Sequence, residues 1–120
     1  MEANQVKIAV NIFSEIPDHR KNRGLNHSLV TIIVMALCAV MSGADTFVEI
    51  QAFGHTKRDW FRQFLDFKRV PDHETFRRVF ARLNPIHFQH CILNWVRQAI
   101  GGKLEDGDII TDVTHLENSK

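Results

Sequence analysis

The sequence predicts an all-α fold: a compact multi-helix domain with a helix-turn-helix-like pair, followed by a short strand-like or disordered C-terminal tail. Three observations carry that prediction. Apolar residues recur at three- and four-residue spacing through most of the chain. Helix-starting and helix-stopping residues separate those stripes. A strand-like texture, with β-branched residues following a turn, appears after Gly101-Gly102. With 120 residues, 44% of them hydrophobic and 24% charged, the chain has the length and composition of one globular domain. A chain of this size can bury a core without disulfide staples.

Each element has its own local signal. Val6, Ala9, Val10 and Phe13 predict an amphipathic first helix that Pro17 ends. The polar stretch 18–24 follows. The run LVTIIVMALCAVM, residues 29–41, predicts a central buried helix closed by Gly43. It falls short of the roughly 20 apolar residues a bilayer span needs, so no membrane partner is expected. Thr46 with Glu49 three residues on is a capping-box pattern, opening a short helix through Phe47, Ile50 and Phe53. Trp60, Phe61, Phe64 and Leu65 predict the next helical stripe, broken at Val70-Pro71. Asp72 can cap the helix that buries Phe76, Val79, Phe80 and Leu83. Asn84-Pro85 stops that helix and starts another, because Asn caps well and Pro suits the first helical position. The last stripe is Phe88, Cys91, Ile92, Trp95, Val96 and Ala99. The domain reading is therefore a helical unit over 1–102. Residues 103–120 read as the truncated or disordered start of something else, with Gly107–Val113 strand-like.

The net charge of +1 conceals an uneven distribution. Arg20, Lys21 and Arg23 make 18–24 basic. Between 55 and 82, Lys57, Arg58, Arg62, Lys68, Arg69, Arg77, Arg78 and Arg82 outnumber Asp59, Asp66, Asp72 and Glu74. At 100° per residue, Arg77, Arg78 and Arg82 fall opposite the apolar face of the helix at 73–83. An aromatic helix, a basic connection and an Arg-bearing second helix outline a helix-turn-helix, whose second helix enters the major groove. Arg can both hold phosphates and read guanine edges. A solvated helix face partly paired with Asp72 or Glu74 looks the same from spacing alone, so both readings stay open. The DNA-binding candidates are Arg77, Arg78, Arg82, Lys68, Arg69, Arg58 and Arg62, with Arg20, Lys21 and Arg23 in the basic loop.

Other chemistries lack their residues. His87-x-x-His90-Cys91 is the one local cluster of metal-ligand types, and no second pair at zinc spacing accompanies it. There is no Gly-rich phosphate loop, nucleophile elbow or Cys-His arrangement. No catalytic residue, metal, cofactor or small-molecule substrate is expected. Asp112, ending an apolar run, stands where a metal-binding Asp could sit, but one Asp cannot build a two-metal site. Cys38 and Cys91 lie in apolar stretches and read as buried thiols. Glu2 stands where a signal peptide would be basic, so a cytoplasmic setting is expected.

Several blocks then fall into a familiar order: Ile16-Pro17-Asp18-His19-Arg20-Lys21, Gly24-Leu25, Met41-Ser42-Gly43-Ala44, Phe53-Gly54, Trp60-Phe61 and Pro71-Asp72-His73-Glu74-Thr75-Phe76-Arg77-Arg78-Val79-Phe80. From about Phe13 to Ile100 the chain resembles the N-terminal region of the H-repeat-associated insertion-sequence transposases found with Rhs elements in enteric bacteria. The resemblance implies a helical module that binds element-end duplex DNA, ahead of an RNase H-like DDE domain in which three acidic residues hold two metals. The family's first acidic segment reads roughly apolar-Ile-Asp-Gly-Lys. Here the corresponding place is Ile109-Ile110-Thr111-Asp112-Val113, without Gly-Lys. The expectation is a truncated, catalytically inactive transposase relative. The alternatives are a helical interaction module, dimerising through Phe47, Phe53, Trp60, Phe61, Phe64 and Phe67, or a remnant without selected function.

Overall fold

A computed structural model describes residues 2–17 and 27–99. The basic loop with Arg20, Lys21 and Arg23, the 102/103 boundary and the tail with Asp112 lie outside the described residues. Those described form six α-helices: α1 (Ala3–Phe13), α2 (Leu29–Met41), α3 (Phe47–Thr56), α4 (Arg58–Phe61), α5 (His73–Arg82) and α6 (Pro85–Ala99). The all-α expectation holds.

α2 is the axis of the domain. Leu29 and every residue from Thr31 to Val40 are buried, which is why its sequence is apolar all round rather than striped. α1 packs against one side of it; α3 and α5 pack against another, and α6 closes over α1. Among the described residues, no helix is long and apolar enough to cross a membrane. Thr31, the one buried residue of polar type among those described, is satisfied at the helix start. Ser28 Oγ accepts the Thr31 N–H (3.2 Å) and donates to Thr31 Oγ1 (2.8 Å). At the other end Gly43 has φ 107°, a conformation that a Cβ would penalise. The Gly43 N–H reaches Val40 O and the Ala44 N–H reaches Ala39 O, the paired bonds of a Schellman motif. Gly43 caps α2 as its sequence position predicts.

The local start signals also hold. Thr46 Oγ1 accepts the Glu49 N–H (3.1 Å), although the Glu49 carboxylate reaches back to the Asp45 N–H (3.0 Å), one residue before the cap. Asp72 Oδ1 accepts the Thr75 N–H (2.8 Å). Asn84 Oδ1 accepts from both Ile86 N (3.0 Å) and His87 N (3.1 Å), with Pro85 in the first helical position. α6 buries Phe88, Ile92, Trp95 and Val96. The Trp95 indole N–H donates to Gln5 O on α1 (2.9 Å), so a fully buried polar atom is paired where the two helices meet.

One element departs from its stripe. Trp60, Phe61, Phe64 and Leu65 predict a full helical face, yet the helix ends at Phe61 and tight turns continue through Phe64. Phe61 and Leu65 are buried all the same. The bonds Gln63 N to Trp60 O and Phe64 N to Phe61 O are three-residue closures, which tighten the turn and redirect the chain. The aromatic stretch is thus a corner. Val70, at the end of the connection that follows, packs over Gly54 of α3, where a Cβ would stand 2.7 Å from Val70 Cγ1 and 3.7 Å from Met35 Sδ. A side chain at 54 has no room.

Candidate nucleic-acid interface

α5 separates its residues as the sequence requires. Phe76, Val79 and Phe80 are buried, with the Phe80 ring against Phe47 of α3 and Phe88 of α6. Arg77, Arg78, Ala81 and Arg82 are exposed, and Glu74 stands with them on the outer face. Two features fix the N-terminal end of the helix. The Asp72 cap is one; the Thr75 N–H it accepts holds the Asp72 carboxyl below the usual carboxylate range. The other is Gln51 on α3, whose Oε1 accepts the His73 N–H at 2.9 Å. The His73 Nδ1 lies 3.0 Å from the same oxygen and must carry its proton to bond there, because that oxygen only accepts. Nothing in the periodicity of either segment points to this link between α3 and α5.

The candidate cations are not equivalent. Arg77 is gripped by Glu74: Nε to Oε1 at 3.2 Å and Nη2 to Oε2 at 2.6 Å. This fork holds the Glu74 carboxyl below its ordinary range and raises the guanidinium pKa in return. Arg78 lies along its own helix, with Nε 3.3 Å from Glu74 O. Arg62 braces the corner after α4. Its Nη2 donates to Lys68 O (3.1 Å), its Nη1 reaches Asp59 Oδ1 (3.4 Å), and its guanidinium sits 5.3 Å from the centre of the Phe67 ring. These contacts brace the 62–72 connection. Arg58, Lys68, Arg69 and Arg82 are exposed and form no ion pair among the described residues. Spacing nominated Arg62 together with these four; only three dimensions show that two of its nitrogens already have partners.

Two further expectations meet the structure here. Eleven residues, 62–72, separate α4 from α5, where a helix-turn-helix uses three or four. α5 packs against α3 and α2. The six clustered aromatics all join the core: Phe47 and Phe61 are buried, while Phe53, Trp60, Phe64 and Phe67 pack against it half-buried. Among the described residues, no three His, Cys, Asp or Glu side chains converge as metal ligands. His87 and His90 are exposed.

The described residues thus form an all-α domain in which α5, tied to α3, carries an exposed arginine face. The chain matches the family described as DDE_Tnp_1-associated over residues 10–96, and it belongs to that family. It is 35% identical over 107 residues to the Escherichia coli protein named "H repeat-associated putative transposase YhhI", covering 88% of this chain and 28% of that one. An uncharacterized protein encoded in the dhlA 3′ region of Xanthobacter autotrophicus is 42% identical over 97 residues, 78% of this chain and 33% of its own length. The chain therefore spans about a third or less of these relatives. It covers 94% of a shorter one, the "Inactive transposase YbfQ" of Escherichia coli, at 34% identity over 79 residues, 65% of this chain. No solved structure matches it significantly.

Proposed function

We propose that this helical domain is the DNA-binding-type module of a DDE transposase relative, contributing duplex recognition and no strand-transfer chemistry of its own. The observation that carries the reading is α5: it buries Phe76, Val79 and Phe80 and turns Arg77, Arg78 and Arg82 outward. Lys68 and Arg69 lie in the connection leading into it. Family membership supports an association with transposases, and the relative named inactive supports a role without catalysis. The partner is duplex DNA at the ends of an insertion element, met in the bacterial cytoplasm.

The test is a salt titration of the full chain on a duplex. Affinity should fall with a log–log slope of about −0.9 for each phosphate neutralised. Replacing both Arg78 and Arg82 by Ala should make that slope shallower by about 2 and leave helicity intact, because neither side chain is buried. Undetectable binding, or binding indifferent to salt, refutes the proposal.

A further inference from the structure

Resting on the DNA-binding reading, we infer that Glu74 and Arg77 form a base-reading unit in which the carboxylate holds the guanidinium to address a guanine edge in the major groove. The argument begins with donors. A guanidinium has five N–H groups arranged in forks. Glu74 occupies the Nε–Nη2 side with two bonds, at 3.2 and 2.6 Å. The Nη1–Nη2 edge is left with two parallel donors on a half-exposed side chain, a donor pair that guanine O6 and N7 accept.

Charge accounts for the division of labour. Each member of the pair is about half exposed, at 48% and 50%. Glu74 stays ionised well below neutral pH because Arg77 hydrogen-bonds it. The pair is therefore nearly neutral as a unit and is a poor anchor for phosphate. Arg82 has no such partner among the described residues, and Arg78 touches only a carbonyl. These two are the phosphate-holding cations, and Arg77 is the pre-oriented one. An arginine already held in one rotamer loses less freedom when it docks. Ala81 is exposed one turn beyond Arg77 and Arg78. Its single methyl lets the helix approach the base edges without obstruction. Glu74 is thus a positioning residue, and its loss should alter discrimination before affinity.

The experiment selects bound duplexes from a pool with randomised central positions, using the full chain. Anisotropy titrations then compare the selected duplex with versions changed at one guanine. The wild-type chain should prefer the guanine by roughly 5- to 150-fold, the range of one good bidentate contact. Glu74→Gln should lose most of that ratio while binding unselected duplex as well as before or better, since a negative charge has gone. Arg77→Lys, which keeps the charge but not the fork, should behave the same way. A helix-stabilising pair with no reading role predicts an unchanged ratio in both variants. Retained preference in Glu74→Gln overturns the inference, as does equal binding of all duplexes by the wild type. In that second case the DNA-binding reading survives; if no duplex binds at all, both fall.

Discussion

The contact most demanding of this fold is the one between Gly54 and Val70, and Gly54→Ala measures it. The new methyl would be placed 2.7 Å from Val70 Cγ1, with Met35 Sδ at 3.7 Å and Val70 Cβ at 3.9 Å. Carbon atoms prefer about 3.5–4.0 Å, so something must move by close to an ångström. Val70 has little freedom to do so. It is 8% exposed, β-branched, and restricted by Pro71 behind it. Overpacking of this kind costs about 1–3 kcal/mol. Against it stands a gain of about 1 kcal/mol, since Ala is the better residue inside α3. The net expectation is a loss of about 1 kcal/mol, which lowers Tm by about 4–8 °C in a domain of this size. Thermal melts followed by far-UV circular dichroism read it directly. In a Val70→Ala background the methyl has room, and the same substitution should become neutral or stabilising, giving a clear coupling in the double-mutant cycle. Gly54→Ala raising Tm in the wild-type background, or costing the same in both, would refute the reasoning.

Two other outcomes follow from the titratable groups. The Asp72 carboxyl titrates below its unfolded value, so its cap stabilises fully above that unfolded value and fades as pH falls through the lower folded one. Asp72→Asn, which still offers an acceptor, should flatten that part of the acid unfolding curve, and Asp72→Ala should cost about 1 kcal/mol at neutral pH; an unaltered acid limb in both counts against the assignment. Burial pushes the Cys38 thiol up to about 12, while Cys91 is half-buried and raised less. A thiol reagent at neutral pH should modify Cys91 first and Cys38 only as the domain opens, and equal rates would show that α2 is not the sealed axis described.

What was legible in the sequence is what adjacent residues decide among themselves. Asp72, Asn84-Pro85, Thr46 and Gly43 each announce a helix end because the bond that makes the cap spans only a few residues. The arginine face of α5 was legible for the same reason: the helical period fixes it once Phe76, Val79 and Phe80 are taken as core. The corner at Phe61–Leu65 was not, because an apolar stripe records which side chains are buried and is silent on whether the backbone stays straight between them. The commitment of Arg62 to Lys68 O depends on that corner and was hidden with it. Gln51 bonding His73 across 22 residues has no local signature at all. Among the candidate cations, composition supplied the sign of the charge. Only the fold shows that, among the described residues, Arg77 and Arg62 have hydrogen-bonded partners and Arg82 has no ion pair.

The bond between Trp95 and Gln5 joins residues 90 positions apart, and it ties the first described helix to the last. In time, as opposed to space, this is a long wait. At about 5–20 residues per second, a ribosome needs about 5–20 s to pass from one to the other. During that interval α1 can lean on α2, but the surface that α6 will cover stays wet. Closing so distant a pair slows folding relative to a bundle of sequential hairpins. The last turns of α6 thus act as a checkpoint: a nascent chain interrupted before Trp95 leaves an incomplete domain with an exposed apolar seam, a ready target for chaperones and proteases.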